Sequence, residues 1–279
     1  ANLRGLRESG NIFAVPTYLF VGLALPIVGF GVYRVMSGTA EPLPPRPDAL
    51  PVGTEALGIL LLLKAFAGGS VALTGVEAIA NGVPAFKPPE SKNAANTMTV
   101  MAVLLAILFV GLTIVAVAFG LRPTAPGGPS IVAMAAEVTF GIGSPLVPAF
   151  AAATALILFL AANTSFNAFP RLAAILAEDG YMPRQFAFRG DRLAFSWGIV
   201  LLAAVAFGLL WAFGGDTHAL IPLYSVGVFL CFTLSQSGMV RHWLRVREAG
   251  WQWRLAINAA GGVLTAVVLA IVVFEKFGD

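Results

Sequence analysis

Charge is what this chain has least of. Asp, Glu, Lys and Arg make up 11% of its 279 residues, under half of the roughly 25% usual in a soluble domain. Hydrophobic residues make up 58%, and the mean hydropathy is +0.86. These values exclude a chain whose surface lies wholly in water. Cysteine is reduced to Cys231, inside an apolar run, so there is no disulfide framework and no metal-ligand spacing; a small buried thiol is its expected role. The two histidines, His218 and His242, stand at the ends of apolar runs and read as loop residues. No HExxH, GxSxG or phosphate loop is present, and no second intramembrane carboxylate completes an aspartyl dyad, so no enzyme signature remains and no cofactor is expected. The net charge of +3 does not point to nucleic acid, because the basic residues gather in the loops of one side, as membrane topology requires.

What the chain has in quantity is apolar runs of about 20 residues, each able to cross roughly 30 Å of hydrocarbon as a helix. Seven spans are expected, near Ile12 to Tyr33, Leu57 to Val83, Met98 to Gly120, Pro145 to Ala168, Leu193 to Phe213, Ala219 to Val240 and Leu255 to Phe274. The expected fold class is an all-α integral membrane bundle embedded in a lipid bilayer. EPLPPRPDALP, within residues 37–56, predicts a stiff, extended loop in water. Ile131 to Phe140 is weakly amphipathic. PRLAAILAEDGYMPRQF reads as a separate interfacial helix closed by a turn at Asp179 and Gly180, and Arg241 to Trp253 as a basic, tryptophan-rich loop at the headgroups. Of the 17 basic residues, only Arg34, Arg46, Lys64, Arg122 and Lys276 fall on the side opposite the N-terminus. That asymmetry places the N-terminus in the cytoplasm. The chain opens with Ala1 and a polar ANLRGLRESG, and upstream sequence is expected to be missing.

The stretch that invites a function is Phe66 to Gly82, FAGGSVALTGVEAIANG. Glu77 is the one acidic residue deep in any span, where a charge costs roughly 2.5–3.5 kcal/mol on insertion scales and such residues are functional by default. Lys64 cannot neutralise it along one helix, since thirteen positions span about 20 Å. A carboxyl there can hold either a proton or a cation, and exchange between them is a physical basis for coupling. The glycines allow two readings. Gly68, Gly75 and Gly82, spaced by seven, could line one face for close helix approach; or Thr74 and Gly75 could break the helix and free backbone oxygens near Ala72 to Gly75 for an ion. Tyr224, after Pro222, is either an interfacial tyrosine or a site residue. The cluster Asn163, Thr164, Ser165 and Asn167 reads as interhelical hydrogen bonding, as do Ser235 and Gln236.

Three segments, TGVEAIANGVPAFKPPESKNAANT, AANTSFNAFPRLAAILAEDGYMPRQF and LIPLYSVGVFLCFTLSQSGM, resemble bacterial potassium importers of the KimA type, in the KUP group of the amino acid-polyamine-organocation superfamily; LRGLRESGNIFAVPTYLF is similar to the approach to that family's fifth helix. The resemblance implies a LeuT-like fold in which the seven spans are family helices five to eleven. Residues 1–36 would then be a cytoplasmic segment with helix five, 37–56 an external loop, 57–240 the second inverted repeat, and 241–279 a basic loop with helix eleven. The first four helices would lie outside this chain, as would the cytoplasmic domain that binds cyclic di-AMP, and the complete protein would be a homodimer in the bacterial inner membrane. The resemblance further implies that Thr74 and Glu77 are the hydroxyl and carboxylate that handle potassium and protons, with Tyr224 as the third residue of a K+ site, and it favours the broken helix.

The reading that follows is a secondary transporter importing K+ with H+, with Glu77 titrating, Thr74, Ala72 and Gly75 offering oxygen, and Tyr224 as gate or ligand. Its rivals are an amino-acid or polyamine permease of the same superfamily and a membrane sensor or scaffold that does not transport.

Overall fold

A computed structural model describes residues 6–44, 46–50, 58–75, 79, 82–83, 86–125, 127–188 and 195–277. Among them the chain is helical: α1 is Leu6–Met36, α2 Ile59–Ser70, α3 Glu90–Ala118, α4 Ile131–Phe140, α5 Leu146–Glu178, α6 Ser196–Ala212, α7 Thr217–Val246 and α8 Trp251–Phe277. Among the described residues, five helical stretches are long and apolar enough to cross a membrane: Ala14–Met36, Glu90–Ala118, Leu146–Glu178, Ala219–Val246 and Trp251–Phe274. In four of them only 11% of the most apolar window is buried within the chain, so their remaining surface requires lipid or further protein. The other two expected spans are shorter. α6 has 17 residues, about 25 Å of helix, and in the second the described α-helix is the 12 residues of α2.

The described residues fall into two compact units, one comprising Ala1–Gly53 with Ala78–Leu202 and the other Thr54–Glu77 with Ala203–Asp279. In the first, α1, α3, α4 and α5 enclose a core of Ala24, Ile27, Val115, Phe119, Ala135, Ala136 and Phe150, with Phe20 stacked on Phe150 at 5.7 Å. α1 and α3 approach closely because each gives the other a glycine. A side-chain carbon on Gly31 would collide with Val115, and one on Gly111 would collide with Val28. Valine on one helix thus seats over glycine on the other, as small residues allow between membrane helices.

α4 begins where Ser130 caps it, its hydroxyl accepting from the Ala133 amide at 3.2 Å, and ends at Gly141, whose φ of 93° suits a residue without a side chain. α5 corrects the expectation of a separate interfacial helix, for it runs through Pro170 to Glu178. Its 33 residues would reach about 50 Å, more than the hydrocarbon core needs. Buried Ala173, Ala174 and Ala177 carry its packed face past the proline, and Gly198 of α6 presses on Pro170 so closely that a Cβ there would stand 2.8 Å from the proline Cα. The turn at its end is as expected: Gly180 has φ 82°, and the Tyr181 amide reaches back to the Leu176 carbonyl at 2.7 Å, closing the helix through a left-handed residue.

The proline-rich loop is not free in water. Extended proline-rich backbone makes no internal hydrogen bonds, so its remaining amides seek partners elsewhere. Leu43 donates to the Phe119 carbonyl at 2.9 Å and Leu50 to that of Pro123 at 2.8 Å, while the Ala125 amide donates to Asp48 at 3.0 Å. Arg46 bridges Asp48 at 3.4 Å and Glu137 of α4 at 3.2 Å. A cavity of about 440 Å³ opens beside this clasp, lined in part by Arg34, Glu41, Arg46, Arg122 and Glu137.

In the second unit, α7 and α8 form an antiparallel hairpin that also packs against α2, with Ala67, Phe229, Val268 and Val272 buried together. Thr233 and Thr265 hydrogen-bond across the hairpin at 3.1 Å, and Gly261 and Gly262 leave room for Gln236. The expected basic loop is corrected to a tight turn: Arg241 and Arg245 belong to α7 and Trp251 to Arg254 to α8. Cys231 is exposed on α7 rather than buried, since it lies off the face that meets α8.

Candidate functional site

The segment that follows α2 leaves helical geometry in three steps. The α-helix ends at Ser70, which is buried and donates its hydroxyl to the Phe66 carbonyl at 2.7 Å. Val71–Leu73 then tightens into a 3-10 turn. Thr74 follows with extended backbone, φ −74° and ψ 157°, and Gly75 has φ 96°. Thr74 donates twice to the Val71 carbonyl, from its amide at 3.1 Å and from its hydroxyl at 2.7 Å. Bonding three residues back rather than four takes that amide away from the Ser70 carbonyl, which a continuing α-helix would have paired with it.

The sequence explains the break. Two glycines, Gly68 and Gly69, weaken the end of α2. Thr74 competes for backbone through its own hydroxyl. Gly75 takes a conformation that a side chain resists, in a place where a Cβ would meet nothing else, so conformation rather than space demands glycine there. The alternative of a glycine stripe for helix approach is set aside, because α2 has ended before Gly75 and nothing lies within 4 Å of a Cβ on Gly68.

Of the residues picked out in the sequence, Ala72 and Gly75 are exposed and Thr74 is half-buried. Glu77, with Val76 and Ala78, lies outside the described residues, and so does the side chain of Lys64. Tyr224 is 47% exposed on α7, and no described residue hydrogen-bonds its phenol. One position along the helix turns inward what Tyr224 turns outward: Ser225 is buried and donates to the Ile221 carbonyl at 2.8 Å. Ser70 and Ser225, the two buried polar residues of the described chain, were not picked out. The signal for Ser225 was available in the proline three positions before it. In the asparagine cluster, the Thr164 hydroxyl returns to its own helix, at the Leu160 carbonyl. Ser235 is exposed, while Gln236 lies against the glycines of α8 and has a buried amide oxygen without a described partner.

Chemically, the break offers a hydroxyl and carbonyl oxygens in an apolar setting. No group of three His, Cys, Asp or Glu occurs among the described residues. Oxygen without sulfur or imidazole is a donor set for a hard cation.

Residues 1–277 match the sequence model of a family described as amino acid permease. The chain belongs to the amino acid permease family. An apolar helix that unwinds at its end, in a chain whose described residues are helical with membrane-length spans, accords with the LeuT-like fold of these permeases. The chain is also similar to the potassium transporter KimA of Bacillus subtilis (strain 168), with 46% identity over 276 residues, which is 99% of this chain and 45% of that protein. It therefore spans less than half the length of this relative.

Proposed function

We propose that this permease chain is part of a secondary transporter that imports K+ together with H+ across the bacterial inner membrane, with its N-terminus in the cytoplasm. The observation that carries the proposal is the break at Val71–Gly75. Half-helix ends and unwound backbone are how transporters of this architecture present oxygen to ions near the middle of the bilayer, and replacing hydration with such oxygens is how potassium is selected. The 46% identity to a protein named as a potassium transporter supports the choice of ion. In this reading Thr74 contributes its hydroxyl, Ala72 and Gly75 their carbonyls, and Glu77 the group that exchanges proton for cation. The phenol of Tyr224, which has no described partner, is free to turn to the ion as gate or ligand.

The family description favours one rival, an amino-acid permease. Expression of the complete gene in a bacterium without its own potassium uptake separates the two. The proposal expects growth at limiting potassium with the wild type and loss of growth with Glu77→Gln at equal membrane abundance. A well-expressed wild type that fails to restore growth but takes up amino acids would establish the rival. Rescue by both forms would retain the importer and remove Glu77 from its mechanism.

A further inference from the structure

The turn between α7 and α8 joins two membrane-length helices, and so must lie at a face of the bilayer. Arg241 and Arg245 occupy the end of α7, Arg247 the turn, and Arg254 the start of α8. Glu248 is the one carboxylate of the turn, and among the described residues no carboxylate lies within ion-pairing distance of any of the four guanidinium groups. Topology and the helix dipole account for part of this charge, because cations suit the C-terminal end of α7. They do not account for the rest. Arg241 and Arg245 stand one helical turn apart, where like charges repel, and Arg254 lies near the N-terminal end of α8, the end that disfavours a cation.

Arg254 is held there by stacking. Its guanidinium carbon sits 4.9 Å from the centre of the Trp243 ring, and that of Arg247 sits 5.4 Å from the centre of the Trp251 ring. The two stacks cross the turn, one tying α8 back to α7 and the other tying the turn to α8. Arg247 also has left-handed backbone, φ 50°, which is uncommon for a residue other than glycine, and its Nε donates to the Leu244 carbonyl at 3.1 Å. A guanidinium drawn over an aromatic ring keeps N–H donors that the ring does not use, suited to the oxygens of a phosphate.

We infer that the α7–α8 turn is a binding site for the phosphate of an anionic phospholipid headgroup, with Arg247 and Arg254 as its principal contacts and Trp243 and Trp251 as the platforms that pre-orient them. Charge complementarity and position at a bilayer face identify the occupant. The inference does not depend on which ion the chain carries.

The test is the composition of lipid retained by the purified protein in an equal mixture of phosphatidylglycerol and phosphatidylcholine, measured by native mass spectrometry. The wild type is expected to retain several-fold more phosphatidylglycerol than phosphatidylcholine. Arg247→Gln with Arg254→Gln should bring the ratio close to that of the mixture, and Arg122→Gln should leave the enrichment in place. Raising the salt should reduce the enrichment in the wild type, as screening requires, which keeps the test available should the double variant fail to fold. Equal retention of the two lipids, enrichment that survives in the folded double variant, or enrichment indifferent to salt would overturn the assignment. So would displacement of the lipid by millimolar inorganic phosphate at constant ionic strength, which would assign the turn to a soluble phosphate, or by a poly-glutamate peptide, which would assign it to an acidic protein partner.

Discussion

Replacing Gly111 by alanine places one methyl group where the Val28 side chain already is. The added carbon would overlap one Val28 methyl and lie 3.1 Å from the other and 3.2 Å from Cβ. Valine in a helix has essentially one favoured rotamer, so Val28 cannot swing aside, and α1 and α3 must separate instead. Overpacking of this kind costs about 1–3 kcal/mol. Val28→Ala alone removes two buried methyl groups and the van der Waals packing they make between the helices, a loss of roughly 1 kcal/mol. In the double variant the methyl on residue 111 fills the space that Val28 vacates, so its loss should be at least about 1 kcal/mol smaller than the sum of the single losses, within the coupling range of contacting residues. The assay is thermal unfolding of the detergent-solubilised protein, followed by fluorescence-detected size exclusion for all four forms. Additive shifts would refute the interlock, because then Gly111→Ala would act through something other than Val28.

Four further predictions concern the clasp, the hairpin and the break. Arg46→Gln should change stability by under about 1 kcal/mol, since the pair with Glu137 is partly exposed and backbone bonds hold the loop. Gly128→Val, whose Cβ would press on Thr124 and come within 3.0 Å of the Asp48 carboxylate, should cost about 1–3 kcal/mol and speed proteolysis of residues 37–50. Thr233→Val should cost about 0.6 kcal/mol, the mean for hydrogen bonds between membrane helices, as read by thermal melting. Gly75→Ala meets no neighbour, so any loss comes from conformation alone; about 1–2 kcal/mol is expected, with transport reduced in uptake assays at matched expression.

The positions of the helices were legible because lipid-facing runs must be apolar throughout, a signal that needs no tertiary information. The break after α2 was legible only in part: Thr74 and Gly75 act through local backbone chemistry, but the glycine spacing allowed a helix-approach stripe equally well, and it was Glu77 and the family resemblance that favoured the break. The extent of helices was less so. Pro170 reads in the sequence as the start of a new element, yet flanking alanines and Gly198 continue the packing across it. The clasp on the proline-rich loop depends on carbonyls at Phe119 and Pro123, some 75 residues on, and no local pattern announces such a partner. Cys231 and Tyr224 show the same limit from another side. In a helix apolar all round, composition does not say which face meets protein, so the exposed thiol and the buried Ser225 beside an exposed tyrosine emerge only once α8 is in place. The mutual seats of Val28, Gly31, Gly111 and Val115 were likewise hidden, since glycine spacing on one helix does not name the valine on another.

If oxygen at the break after α2 holds the transported cation, as proposed, Thr74 is the residue that tests it most directly. In vesicles bearing the complete protein, rubidium uptake should keep a near wild-type half-saturating concentration in Thr74→Ser, which retains the hydroxyl. In Thr74→Ala it should rise roughly ten-fold or more, as expected when about 1.5–3 kcal/mol of interaction with a charged partner is lost. Equal half-saturation in wild type, serine and alanine forms at normal abundance would contradict the account, because the hydroxyl would then take no part in holding the ion.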